Sequence, residues 1–146
     1  MKRYFKLFIF IFMTFLITGC GNKNILSIKD FSKSMEKLGY KVEDVTDKVD
    51  DNNILSYYVA SRKDYSYQIE YCGFDNTDSA IKYYREKLKK YTNSKGNQLN
   101  NKKNKETFYI NGNYIIISRV KNVVMFTYAE KKYKDEINHT FGKLKY

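Results

Sequence analysis

Proline and tryptophan are absent from this 146-residue chain, histidine occurs once and cysteine twice. One histidine and two cysteines exclude the zinc sites that are built from several ligands of these two types. No glycine-rich phosphate-binding loop is present, because Gly96 is isolated in a polar segment and Gly112 belongs to a turn sequence. His139 stands between Ile137 and Phe141 of a predicted helix, and we interpret it as a partly exposed helix residue. The composition therefore offers no common metal or nucleotide chemistry, and we expect no cofactor.

Long apolar runs are also lacking, except at the N-terminus. Residues 7–17 form an apolar core of eleven residues, interrupted only by Thr14, and the basic residues Lys2, Arg3 and Lys6 precede it without any acid before Cys20. This pattern is typical of a signal peptide. The core is too short for a membrane-spanning helix, which needs ~20 apolar residues. The N-terminal segment therefore predicts export.

The apolar run ends in Ile17-Thr18-Gly19-Cys20. This motif resembles the lipobox of bacterial lipoproteins, with an aliphatic residue, two small residues and then a cysteine. The resemblance implies that a diacylglyceryl group is attached to the Cys20 sulfur and that the chain is cut between Gly19 and Cys20. Residues 1–19 are then a lipoprotein signal peptide, residues 20–26 a lipidated N-terminus and tether, and the protein is anchored to the outer face of the cell membrane. An uncleaved anchor or an ordinary secretory signal is the alternative.

The mature region is basic and rich in tyrosine. Removing the three basic leader residues from the 27 in the chain leaves 24 against 16 acids, a net charge of +8. If Cys20 carries lipid, Cys72 is the one remaining thiol and has no disulfide partner within the chain. We interpret Cys72 as a small buried hydrophobe rather than a catalyst. The mature region resembles the small uncharacterised lipoproteins of Gram-positive bacteria.

Hydrophobic periodicity predicts one α+β domain over residues 27–146. The first helix has a capping serine, Ser27, with Asp30 three residues later, and ends before Gly39. The Asn111-Gly112 pair predicts a tight hairpin. The predicted helices are 27–38, 78–91 and 132–144; the predicted strands are 40–45, 54–62, 65–74, 106–110, 113–120 and 122–129. Residues 92–105, rich in Asn and Lys, are predicted to be a mobile loop.

These elements predict an antiparallel sheet with helices on one face, in the order α-βββ-α-βββ-α. A weak internal repeat accompanies this order. At a fixed offset of 57, four residues are identical to their counterparts: Tyr57, Ser61, Arg62 and Tyr71 match Tyr114, Ser118, Arg119 and Tyr128, and Ile69 falls on Phe126. The repeat suggests a duplicated α-β-β-β unit. The alternative is a chance similarity between two tyrosine-rich hairpins.

The positive charge is concentrated between residues 79 and 105. Candidate residues for contact with an anionic lipid or wall polymer are Lys82, Arg85, Lys87, Lys89 and Lys90. The alternative is a solvated helix face. We expect no nucleic-acid partner, because export separates the protein from it and the basic stretch lacks interleaved aromatic residues.

Two classes of function remain open for the domain. The first is a membrane-tethered, non-catalytic domain that binds a protein or an envelope component. The second is an envelope-acting hydrolase that uses carboxylates such as Glu70 or Asp64. We interpret the acidic stretch around Asp47 and Asp50 as a solvated turn, since its spacing differs from that of a calcium loop. Arg62 and Arg119 would converge on an anion only if the two halves packed symmetrically.

Overall fold

The computed structural model describes residues 25–92, 97–102 and 104–146, with the backbone alone described for 97–102. Three helices and seven strands occur in these residues. The helices are α1 (Ile28–Lys37), α2 (Thr77–Thr92) and α3 (Lys134–Lys143). The strands are β1 (Lys41–Asp44), β2 (Ile54–Ser61), β3 (Gln68–Phe74), β4 (Asn97–Lys102), β5 (Lys105–Ile110), β6 (Asn113–Val120) and β7 (Val123–Glu130). Short 3-10 turns cover Thr46–Lys48 and Lys131–Tyr133.

All seven strands form one antiparallel sheet in the order β1-β2-β3-β7-β6-β5-β4. The predicted α+β class and the order α-βββ-α-βββ-α are confirmed, with β4 as an additional edge strand. Chain neighbours pair through hairpins, and the two halves join where β3 pairs with β7. The sheet is therefore continuous from one half of the domain to the other.

The ends of α1 and the β5–β6 turn form as their sequences predict. The Ser27 hydroxyl oxygen accepts a hydrogen bond from the Asp30 backbone N–H at 3.1 Å, which caps α1. Gly39 follows α1 with a φ of +87°, a conformation that favours glycine. Asn111 and Gly112 both have positive φ, as a two-residue hairpin turn with the sheet's twist requires.

The helices lie on both faces of the sheet, so the predicted placement on one face is wrong. Ile115 and Ile117 pack with the apolar side of α2, whereas Ile116, which lies between them, packs with α1 and α3. Successive strand residues point to opposite faces, so β6 is covered on each. Helices are needed on both faces because the residues Tyr114–Ser118 are all buried, whereas a strand with one solvent-facing side would be buried only at alternate positions.

The repeat at offset 57 does not mark equivalent positions. Ile69 lies in the core shared by α1 and α3, but its match Phe126 lies in the core under α2. Tyr57 packs against the α2 core and its match Tyr114 lies in the other one. Matched residues thus fall on opposite faces of the sheet. This placement favours chance similarity over duplication of an α-β-β-β unit.

Two segments differ from their predicted structure. Residues 97–102, inside the predicted loop, form strand β4 and pair with β5. An edge strand is held by backbone hydrogen bonds, so it needs no apolar side chains of its own. Strand β3 begins at Gln68 rather than at Tyr65, whose φ of +54° belongs to the β2–β3 loop. None of the helices in the described part of the chain combines the length and apolar character needed to cross a bilayer.

Candidate functional site

The candidate site is a groove at the end of the sheet that carries the β2–β3 loop. It has a volume of about 370 Å³ and is lined by Ser61, Tyr65, Tyr67, Gln68, Glu70, Phe126 and Tyr128. We call it the tyrosine groove. Two of its rings are open to solvent, with Tyr65 70% and Tyr128 44% exposed. Exposed tyrosines offer an apolar ring and a polar hydroxyl to a partner at low entropic cost.

Pairing of β3 with β7 assembles the groove from the two halves of the chain. Glu70 stands directly opposite Phe126 in this ladder. The Thr127 hydroxyl donates to the Gln68 carbonyl at 2.7 Å, which ties the two strands together at this end. From α2, the ring of Tyr91 stacks on Phe126 with 5.6 Å between centroids and lies 6.3 Å from Tyr128. The last turn of α2 therefore borders the groove.

Glu70 is a nearly buried carboxylate at the inner end of the groove, with 12% of its side chain exposed. It accepts a hydrogen bond from the Tyr57 hydroxyl at 2.6 Å and one from the Lys87 ammonium at 3.3 Å. Burial, together with the hydrogen bond to Glu70, raises the pKa of Tyr57 well above its usual range. α2 therefore covers Glu70 and supplies its counter-charge.

Lys87 does not belong to the exposed basic surface on which its sequence neighbours stand. Its ammonium lies 4.2 Å from the centroid of the Phe126 ring and 5.5 Å from that of Tyr83, and 23% of its side chain is exposed. A cation over an aromatic face is stabilised by the ring quadrupole. Lys87 thus belongs to a structural cluster with Glu70 and two aromatic rings, and its contact with an external anionic surface stays a prediction.

Four of the five predicted basic residues do face solvent. They are Lys82, Arg85, Lys89 and Lys90. Lys82, Arg85 and Lys89 follow each other at helical spacing along one outer stripe of α2, interrupted by the exposed acid Glu86. The stripe has the form of a solvated helix face and also of an anion-contact surface, so both predictions stay open.

Replacing Lys87 by methionine should destabilise the domain, because the Glu70 carboxylate would stay buried without its counter-charge. We expect a loss of about 2 kcal/mol in the free energy of unfolding, less than for a fully buried pair since Lys87 is partly exposed. The matched change Lys89→Met, on the outer stripe of the same helix, should stay within about 0.5 kcal/mol. Urea unfolding of both variants measures the difference.

A second variant separates charge from packing. Glu70→Gln combined with Lys87→Met removes both charges, and should recover most of the stability lost in Lys87→Met alone. Equal losses in the single and double variants would show that packing of the lysine stem, not the ion pair, holds this cluster.

Cys72 lies under α2 in the same core and is 1% exposed. Its thiol donates to the Tyr83 hydroxyl oxygen at 3.7 Å. Burial raises the pKa of Cys72 to about 12, so the thiol is protonated at neutral pH. A protonated, enclosed thiol is a poor nucleophile. The interpretation of Cys72 as a small buried residue is confirmed.

Asp64 and the two arginines have separate structural partners. The Asp64 carboxylate accepts from the backbone N–H and hydroxyl of Ser66, which lowers its pKa. Arg62 forms ion pairs with Asp64 and Glu136. Arg119 instead donates to the carbonyl of Lys121 and to the side chain of Asn104. The two arginines therefore do not converge on one anion.

The acidic stretch before β2 and His139 both lie at the surface of the domain, as predicted. The Asp51 carboxylate accepts from the backbone and side chain of Asn53, as in a solvated turn. His139 is exposed on α3. Among the described residues, no group of three or more His, Cys, Asp or Glu side chains is placed to hold a metal ion.

Sequence reasoning singled out Glu70 but missed the other groove residues. Alternation along β3 places Gln68 and Glu70 on one face, and alternation along β7 does the same for Phe126 and Tyr128. That signal shows which residues share a face within each strand. It does not show that these two strands are neighbours.

Comparison with known proteins does not supply a function. No family model matches the chain, and neither the curated proteins nor the solved structures include a significant match to it.

Proposed function

We propose that this protein is a lipoprotein anchored to the outer face of the cell membrane, whose domain binds a protein or an envelope component without catalysing a reaction. The observation that carries the proposal is the Ile17–Cys20 motif, which follows a basic n-region and an eleven-residue apolar core. Cys20 and the leader lie outside the residues that the structure describes. Their role is inferred from the sequence.

The geometry of the described domain supports a binding role at the tyrosine groove. The described chain starts at Ile25, which lines the same depression as Gly73, close to the C-terminal end of β3. The tyrosine groove includes Gln68, the first residue of β3. Five residue steps along β3 separate Gln68 from Gly73, a distance of ~17 Å. A domain tethered through its N-terminus would thus present the groove away from the membrane, where a partner in the envelope can reach it.

The hydrolase alternative rests on carboxylates. Glycoside hydrolysis commonly uses two carboxyl groups on either side of the scissile bond. Among the described residues that line the tyrosine groove, Glu70 is the one carboxylate, and Tyr57 and Lys87 already engage it. Asp64 is engaged by Ser66 and Arg62. The binding role is therefore better supported than hydrolysis by this pair.

A photo-cross-linking amino acid at position 128 tests the binding role in intact cells. We expect a discrete cross-linked product, because Tyr128 is an exposed ring at the groove. The same amino acid at position 89 reports on the basic stripe of α2. Products from position 89 alone would favour contact with an anionic polymer or protein through that stripe. Absence of products from both positions would contradict a stable partner at either surface.

A further inference from the structure

We infer that the end of the domain opposite the tyrosine groove rests in the membrane interface, so that the protein contacts lipid through side chains as well as through its anchor. This inference rests on the proposed lipid attachment at Cys20. The contact surface, which we call the basal patch, consists of Ile25, Leu26, Ile28 and Leu55. These residues line a shallow apolar depression of about 350 Å³, to which Tyr71, Gly73 and Asn122 also contribute.

The basal patch displays aliphatic side chains to solvent. Leu55 is 65% and Ile25 is 42% exposed, the two highest values among the large aliphatic residues of the described chain. Exposure of Leu55 has a local cause. Ile54 pairs with Phe74 and Ser56 with Gly73, so Leu55 is an extra residue in a β-bulge. Bulges redirect side chains out of the regular pleat.

The tether leaves the domain within the basal patch itself. The Tyr71 hydroxyl donates to the Leu26 carbonyl at 2.9 Å, and the Leu26 N–H donates to the Tyr146 hydroxyl oxygen at 3.5 Å. Both tyrosines are buried, with 3% and 4% exposed. The start of the described chain is therefore fixed to the core of the domain.

Tether length then places the basal patch close to lipid. Five residue steps separate Cys20 from Ile25. A fully extended chain spans at most ~3.6 Å per residue, so Ile25 stays within ~18 Å of the lipidated residue. At that range, exposed aliphatic side chains reach the headgroup region, where burial of apolar surface is favourable.

Charged side chains of both signs flank the basal patch. Lys29 adjoins Ile28 in sequence, and Lys121 adjoins Asn122, which lines the depression; both lysines are exposed. Basic residues near an anionic bilayer surface strengthen its attraction for the protein. The exposed acids Asp30 and Asp75 stand close in sequence to the lining residues Ile28 and Phe74. The exposed aliphatic side chains, rather than net charge, therefore carry the inferred contact.

Fluorescence quenching tests the contact on the lipidated full-length protein in vesicles of phosphatidylglycerol and phosphatidylcholine. A polarity-sensitive dye is attached to Leu55→Cys or, as the matched control, to Tyr65→Cys on the groove end; native Cys72 is buried and protected. We expect a blue-shifted dye at position 55 that is quenched by lipids spin-labelled near the headgroup, at a depth of ~5–10 Å. The dye at position 65 should remain in water.

The outcomes separate this inference from the proposed anchor. A water-exposed dye at position 55 on protein that stays bound to the vesicles would overturn the membrane contact and leave the anchor intact. Protein that fails to bind the vesicles would overturn both. Equal quenching at positions 55 and 65 would also overturn it, because the domain would then have no fixed orientation.

Discussion

The domain is expected to unfold cooperatively as the pH rises from about 9 to about 11, because its buried tyrosines resist ionisation. Five tyrosines are no more than 6% exposed: Tyr40, Tyr67, Tyr71, Tyr114 and Tyr146. Burial raises the pKa of each of them, in the case of Tyr146 to about 12. In the unfolded chain the same side chains ionise near pH ~10.

The direction of the effect follows from which state loses protons first. Below the unfolded pKa all five tyrosines are protonated in both states, so their contribution to stability is complete. Above it the unfolded chain ionises while the folded domain does not, and stability falls as the pH rises. At about pH 11 a tyrosine that stays fully protonated in the folded domain accounts for about 1.4 kcal/mol, so five such tyrosines would together account for at most about 7 kcal/mol. That sum is comparable to the whole stability of a typical domain.

Circular dichroism and the absorbance of tyrosinate measure this transition together. We expect loss of secondary structure and ionisation of the buried tyrosines to coincide. Tyr146→Phe removes one buried hydroxyl and should move the alkaline midpoint upward, whereas Tyr65→Phe, at a 70% exposed position, should leave it in place. Ionisation of all tyrosines near pH ~10 with the fold intact would contradict the prediction.

Local signals carried the parts of the fold that the sequence predicted well. Ser27 and Gly39 delimit α1 because capping and left-handed backbone are properties of single residues and their immediate neighbours. The Asn111-Gly112 turn fixes the β5–β6 hairpin for the same reason. Such signals need no knowledge of the remainder of the chain.

The parts of the fold and of the site that were not predicted depend on contacts between residues far apart in sequence. Glu70 and Phe126 meet because β3 pairs with β7, a pairing that alternation along either strand leaves open. The inward position of Lys87 depends on where α2 crosses those two strands, so the sequence could not separate it from Lys89. The basal patch depends on a bulge at Leu55, which shows no residue signature of its own.

Replacing Cys20 by alanine is expected to abolish incorporation of labelled fatty acid completely. The thioether to the lipid needs the cysteine sulfur, and alanine offers no nucleophile. Cutting of the leader follows lipid attachment in the lipoprotein pathway that the motif resembles, so the intact mass should show residues 1–19 still present. The matched control is Cys72→Ala, which removes the other thiol from a buried position and should keep both the label and the cut.

The same pair of variants shows how much the anchor contributes to membrane binding. Two acyl chains attach a protein stably to the membrane, since each buried methylene contributes about 0.8 kcal/mol. A single myristoyl chain gives only marginal, reversible membrane binding. Ile25 and Leu55 bury less apolar surface than such a chain, and the leader core is shorter than a spanning helix. The Cys20→Ala protein should therefore be lost from membranes on washing while Cys72→Ala is retained. Label that survives in Cys20→Ala would contradict attachment at this residue. Wash-resistant binding without label would contradict the expected loss from membranes and show that the retained leader can hold the protein there.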